Sequence, residues 1–168
     1  MARLSSRKPQ PQIPRLKRDL RRLTEKSRRN NRLVDNLSPE QRRECMRAVR
    51  GVNTSPEIVV RSLVHSMGFR YALHVKRLAG KPDIVLVSRG KIIFVHGCFW
   101  HKHTCRHGSK SPTTNSAYWN QKRDRNFQRD RDHIRSLRKA GWQVQVIWEC
   151  WTHDIGSLRE KLARFLDS

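Results

Sequence analysis

The sequence predicts an α/β fold: a mixed sheet flanked by helices, with a structural zinc site at one end. Three observations carry that reading. Apolar runs of strand length alternate with longer amphipathic stretches that open on Ser-Pro signals and stop at glycine. A cluster of imidazoles, thiols and aromatic rings, His96-Gly97-Cys98-Phe99-Trp100-His101-Lys102-His103-Thr104-Cys105, follows directly on Ile92-Ile93-Phe94-Val95, where a buried strand leaves the core. The chain has 168 residues, enough for one domain with some length left over.

The elements follow in order. Residues 1–36 carry twelve Lys/Arg and three Asp/Glu, with isolated leucines at no sustained period. They bury too little apolar surface to fold alone, and a disordered basic arm is expected, followed by one domain over 37–168. Ser38-Pro39-Glu40-Gln41 announces a helix, with Ser38 as N-cap and Gln41 reaching back, and Gly51 ends it. Ser55-Pro56-Glu57 repeats the signal for a second helix that Gly68 closes, with Ile58, Val59, Leu63 and Met67 as its apolar face. Strands are expected over 69–75, 83–87 and 91–95, the last two joined by a turn at Ser88-Arg89-Gly90. A polar loop spans 106–115, a long helix covers 116–140 before Gly141, a strand runs over 143–148, and a short helix over 158–166 completes the domain.

The net charge is +23, of which the arm supplies +9 and residues 37–168 supply +14. The folded part is therefore itself basic and calls for a polyanion, because each Lys or Arg facing a phosphate releases condensed counterions. No apolar stretch approaches the roughly 20 residues needed to span a bilayer, and no basic helix shows a wide apolar face, which leaves nucleic acid as the favoured partner. No secretory signal precedes Leu37. Interleaved Cys and His suit metal in a reducing cytoplasm better than disulfides, with Cys45 left over as a free thiol.

Cys98, His103 and Cys105 offer three ligands at short spacing, and Cys150, at the end of the last strand, offers a fourth. Cys3His is a familiar tetrahedral zinc set. The competing reading makes these cysteines small buried hydrophobes. Asp83 stands at the lip of an apolar strand, either as a turn-former or as a placed ligand. In the long helix, Phe127, Ile134 and Leu137 form one stripe, and Asp130 lies on it. An inward acid must be paired, and His96 and His101 emerge from the neighbouring strand end. Asp83, His96, His101 and Asp130 can therefore converge as a metal-binding carboxylate, two imidazoles and an orienting acid. That set fits phosphodiester hydrolysis with Mg2+ on the carboxylate and an imidazole as base. The bland alternative is a group of satisfied polar residues around a zinc site. Phe99-Trp100 in tandem cannot both enter the core from a strand end, and exposed rings amid positive charge stack on bases or wedge between them. Tyr118 and Trp119 are further candidates, helix packing being the equal alternative for Trp119.

Gly80-Lys81-Pro82-Asp83, the segment from His96 to Cys105, and Trp148-Glu149-Cys150 together resemble the very-short-patch-repair (Vsr) mismatch endonuclease family, in register from about Leu37 to the end of the chain. The resemblance implies a restriction-endonuclease-like fold and an enzyme that nicks duplex DNA 5′ of the thymine in a T:G mismatch left by 5-methylcytosine deamination. It implies Mg2+ at Asp83, with the backbone carbonyl of Val95 as a second contact, Val standing where the family usually has Thr. It makes His101 the general base, His96 a catalytic partner, Asp130 the residue orienting a histidine, and Glu57 an acid near the active site. Cys98, His103, Cys105 and Cys150 would hold zinc, and Phe99, Trp100 and Trp119 would enter the base stack. A monomer in the cytoplasm, associated with the nucleoid and linked in function to a DNA cytosine-5 methyltransferase, is the implied setting. Two alternatives stay open: a restriction-like endonuclease of other specificity, and a non-catalytic zinc module that binds nucleic acid.

Overall fold

A computed structural model of the chain describes residues 38, 40, 41, 52–111 and 116–168. The expected basic arm, most of the first helix with Cys45, and the end of the polar loop lie outside the described residues. What is described of that first helix is its start. The Gln41 amide donates to Ser38 Oγ at 3.3 Å while the Ser38 amide donates to Gln41 Oε1 at 2.9 Å, the reciprocal capping box that the sequence spells.

Helix α1 covers Ser55–Ser66, strand β1 Ile84–Leu86, β2 Lys91–His96, helix α2 Ser116–Lys139, β3 Gln143–Trp148 and α3 Ile155–Asp167. The sheet order is β1-β2-β3, with β1 antiparallel to β2 and β3 parallel to it. This is the mixed α/β arrangement that the strand and helix periods predict.

Strand alternation sends successive side chains to opposite faces, and the two cores follow it. Ile84, Leu86, Ile93 and Ile147 pack with Val60, Leu63 and Val64 of α1 and Leu158, Leu162 and Leu166 of α3. Val85, Ile92, Phe94 and Val144 pack with Leu137 of α2 on the other side. Helices therefore cover both faces, α1 and α3 on one and α2 on the other. His96 falls in the same alternation as Ile92 and Phe94, which turns its ring toward α2.

Several expectations are corrected. The strand expected over 69–75 reduces to one bridge between Ala72 and Val85. The second strand stops at Leu86: Val87–Arg89 is a single 3-10 turn leading to Gly90 at φ 61°, and Val87 is solvent-exposed. The N-cap of α1 is Thr54 rather than Ser55, which moves Pro56 and Glu57 one place inward. Ile58 is exposed, whereas Val60 and Val64 are fully buried, so the apolar face of α1 is rotated from the expected one. Phe127 is 41% exposed, and the inward stripe of α2 runs instead through the buried Arg123 and Leu137, with Asp130 and Ile134 half-buried between them. The end of α2 behaves as read: the amides of Gly141 and Trp142 donate back to Arg138 and Leu137 carbonyls, a Schellman closure with Gly141 at φ 87°.

Candidate functional site

β1 starts where β2 ends, because the two are antiparallel, and that shared end of the sheet opens into a cavity of about 900 Å3. Asp83, Val95, His96, His101, Asp130 and Glu57 all line it. Asp83 Oδ2 accepts the Val95 amide at 2.7 Å, so the carboxylate serves as ladder partner just beyond the paired residues of β1. Burial raises its pKa from the ordinary 3.8 to about 6, against the pull of that hydrogen bond and with a further push from Glu57. A carboxyl so placed gains strongly from a bound cation, which restores the charge-stabilising environment that water supplied.

His96 and His101 stack with centroids 4.0 Å apart and planes 12° from parallel. His101 Nδ1 is hydrogen-bonded to Asp130 Oδ2, which reaches it from α2. Burial, and then the neighbouring His101, push His96 down to about 3, so it is neutral at ordinary pH. Burial works to raise Asp130, but its bond to His101 and the nearby imidazole charge outweigh it and lower the net value. The nitrogens and carboxylate of this trio are close enough together to hold an ion. Imidazole lone pairs lie in the ring plane, however, and two nearly cofacial rings cannot aim both at one metal. The trio is better suited to moving a proton.

The four soft ligands also meet. Cys98, His103, Cys105 and Cys150 present their donor atoms within 4.8 Å of one another. His103 Nδ1 lies 3.6 Å from Cys98 Sγ and 3.4 Å from Cys150 Sγ. A tetrahedral ion with zinc-like bond lengths has N···S edges of about 3.6 Å. These separations therefore fit a coordination shell. Burial raises the pKa of the Cys98 thiol well above its usual range, so a cation is needed to hold it as thiolate.

Three supports of this region escaped the sequence reading. Arg123, 3% exposed, projects from α2 into the Cys/His loop, where it donates to the carbonyls of Phe99 (2.8 Å), Lys110 (3.1 Å) and Gly108. Gly108 is buried beneath it, and a Cβ there would collide with the carbonyls of His103 and Cys98. Glu149 Oε2 accepts the Cys98 amide at 3.1 Å, tying the exit of β2 to the end of β3. Glu149 lies within the Trp148-Glu149-Cys150 motif. Arg123 carried no signal, being one of eight basic residues on a helix that reads as a solvated basic face.

Phe99, Trp100, Trp119 and Tyr118 form a run of edge-to-face contacts, with centroids 5.1, 5.8 and 5.1 Å apart in that order. Phe99, Trp100 and Trp119 are half-buried against one another. Lys122 Nζ lies over the rings of Trp100 and Trp119, and Arg123 over Phe99.

A mixed α/β sheet with a cavity lined by carboxylates and imidazoles at its edge, braced by a Cys/His centre and fringed with aromatic rings and cations, fits a hydrolase acting on nucleic acid. The family model for the DNA mismatch endonuclease Vsr matches residues 34–107. The Type II nicking enzyme V.XorIIP of Xanthomonas oryzae pv. oryzae (strain KACC10331 / KXO85) is 48% identical over 135 residues, covering 80% of this chain and 98% of the relative. Type II nicking enzyme V.NmeAIP of Neisseria meningitidis is 37% identical over 134 residues, 80% of this chain and 95% of the relative. The DNA mismatch endonuclease Vsr of Escherichia coli (strain K12) is 38% identical over 109 residues, 65% of this chain and 69% of the relative. The chain belongs to the Vsr family and is a Vsr-like DNA endonuclease.

Proposed function

We propose that this endonuclease nicks duplex DNA 5′ of the thymine in T:G mismatches that arise by deamination of 5-methylcytosine. The observation that carries the chemistry is the His101 ring, stacked on a neutral His96 and bonded through Nδ1 to Asp130, in the same cavity as Asp83. With Nδ1–H directed at Asp130, the free lone pair of His101 is on Nε2, where it takes a proton from the attacking water. Asp130 fixes that tautomer and stabilises the imidazolium. His96 gives the ring a flat, uncharged neighbour and keeps it in place. Asp83, with the Val95 carbonyl beside it, would hold Mg2+, which when bound supplies positive charge at the scissile phosphate and the departing oxygen. Cys98, His103, Cys105 and Cys150 would hold a structural zinc.

The mismatch preference rests on the aromatic run. A T:G wobble stacks less well than a matched pair, so opening the stack there costs less, and Phe99, Trp100 and Trp119 would fill it. Residues 37–168 would act as one domain and as a monomer, with the basic arm 1–36 adding salt-sensitive affinity. The cytoplasm and nucleoid would be the setting, and a cytosine-5 methyltransferase would be the companion because it makes the 5-methylcytosine whose deamination leaves the mismatch. Among the described residues no helix is long and apolar enough to cross a membrane.

A second reading has a specific observation behind it, since relatives such as V.XorIIP and V.NmeAIP are named type II nicking enzymes. Sequence-directed nicking of matched duplex would then be the activity. Labelled duplexes with T:G, matched and other mispairs, incubated with and without Mg2+, separate the two. Mg2+-dependent nicking confined to T:G supports the first, and equal cleavage of matched DNA supports the second.

A further inference from the structure

Two imidazoles of one loop face different centres: His101 meets the Asp130 carboxylate, and His103 meets the thiols of Cys98 and Cys150. Lys102 between them sits at φ 54°, in the left-handed region that non-glycine residues seldom adopt. Such a conformation persists where the surrounding structure enforces it, and here the chain turns between two rings that are each held in place. The space between the two centres is filled from the sheet. Trp148, the last residue of β3, lies level with His96, the last of β2. The half-buried Trp148 ring stacks on His103, with centroids 4.3 Å apart and planes 20° from parallel. It also meets the buried His96 edge to face, at 5.5 Å and 73°. Trp151 approaches His103 edge-on, at 6.3 Å and 85°, beneath the Lys161 cation, so the broad contact on that imidazole belongs to Trp148. Since His96 stacks in turn on His101, the rings form one file, His103–Trp148–His96–His101, that runs from the thiols to Asp130. Rings in such contact constrain one another's planes and add to simple burial. A ligated imidazole still has rotation about its metal bond, and a flat neighbour removes that freedom.

We propose that Trp148 is the positioning residue that couples the Cys/His centre to the proposed base: a metal on His103 fixes the plane of the indole, and the indole holds His96 flat against His101. The inference rests on the proposed roles of His101 and of the Cys/His set. Trp148 touches no reacting atom and acts through His96. A side chain that only filled space there would be replaceable by any apolar group of similar reach, whereas a coupling element must be a flat ring.

Trp148→Leu keeps an apolar group and removes the ring, and Trp148→Phe keeps a ring. On the full chain loaded with zinc, Trp148→Leu should slow single-turnover nicking of the duplex it cleaves best by about tenfold, while the Kd for that duplex stays within about threefold of wild type. It should also release zinc to a chelator about tenfold faster, and Trp148→Phe should bring both rates back to within about threefold. A Trp148→Leu protein that nicks and holds zinc as the wild type does would overturn the proposal. So would a loss of nicking that Trp148→Phe does not repair, or one matched by an equal loss of duplex affinity, which marks a general loosening. A second measurement follows the Hε1 resonances of His101 and His103 by nuclear magnetic resonance as Cd2+, with its longer bonds, replaces Zn2+. In the wild type both should move, and in Trp148→Phe, with its smaller ring, the movement at His101 should fall to roughly half. A His101 resonance that stays still in the wild type, or moves as far in the variant, would overturn the proposal, and this measurement decides if Trp148→Leu does not fold. Nicking untouched by His101→Ala, or purified protein without stoichiometric zinc, is a different failure, that of the base or of the Cys/His reading itself.

Discussion

Asp83 is held in a state that its own burial disfavours once it ionises. With the folded pKa raised from 3.8 to about 6, its contribution to stability is full below about pH 4 and is lost as pH rises through 6. At pH 8 the cation-free protein should carry a cost of roughly 2–3 kcal/mol at this one carboxyl. Asp83→Asn is therefore expected to be the more stable protein at pH 8 without divalent ions, to lose that advantage near pH 4, and to be inactive in nicking. Urea unfolding at the two pH values checks the first two, and an Asp83→Asn protein no more stable than wild type at pH 8 would contradict them. His96 works in the opposite sense and equally in both proteins, since its depressed value favours the fold above about pH 6.5. His101→Ala removes the proposed base and should cost at least about 10²-fold in single-turnover nicking while duplex binding persists.

Helix α2 braces the Cys/His loop from one side through Arg123 and the imidazole of His101, the proposed base, through Asp130, seven residues on. Arg123→Met keeps the stem of the side chain but leaves three carbonyls of the loop without their donor. A destabilisation of about 2–4 kcal/mol is expected, together with faster loss of metal to a chelator, because the proposed ligands His103 and Cys105 lie on that loop. Thermal melts and chelator kinetics measure both. If Arg123→Met melts like wild type and keeps its metal equally long, the clamp contributes nothing. Near the other end of α2, His133 packs on Gly80, which sits at φ 75° with no room for a methyl group, a Cβ coming within 2.8 Å of the ring. Gly80→Ala should therefore destabilise the turn before Asp83 by about 1–3 kcal/mol through both strain and collision.

For the molecule as a whole, the Cys/His centre, the cavity and the aromatic run share one end of a three-stranded sheet. Metal loss should propagate to the cavity, because the Cys98 amide itself donates to Glu149 and the Cys150 amide to Cys98 Sγ at the β2 exit. Cys150→Ser is expected to lose stoichiometric zinc and to fall in thermal stability, by less than the order of 10 kcal/mol known for coreless zinc peptides. Elemental analysis of purified protein tests it. DNA binding should divide into two separable parts. Alanine at Phe99 and Trp100 is expected to erode preference for T:G over matched duplex more than general affinity, each inserted ring contributing roughly 1–3 kcal/mol. Arg125→Ala, on the exposed face of α2, should instead flatten the salt dependence and spare the preference. Titrations of both duplexes at several salt concentrations read the two effects, and a double alanine variant with undiminished preference would remove the stacking argument.

The sequence by itself determined what periods and ligand chemistry can state. The apolar runs in 91–95 and 143–148 placed two strands within a residue of their observed ends, because a strand covered by helices on both faces is apolar over most of its length. Ser38 with Gln41, and Gly141, announced a helix start and a helix stop through local hydrogen bonds. Cys98, His103, Cys105 and Cys150 pointed to one another because few structures bring three thiols and an imidazole close except around a metal. Residues 69–75 misled, since β-prone composition does not say whether a neighbouring strand is long enough to pair with, and β1 has only three residues. Phe127 misled because a helix with eight basic residues leaves its apolar stripe ambiguous, and the tertiary structure chose Arg123 for the inward position. The stacking of His96 on His101 and of Trp148 on His103, and the bonds from Arg123 to Phe99 and from Glu149 to Cys98, were decided only by packing. These last two join residues 24 and 51 positions apart, and no local period encodes them. Side-chain partners across such distances are set by how α1, α2 and β3 close on the sheet, which is where the chemistry of this protein is assembled.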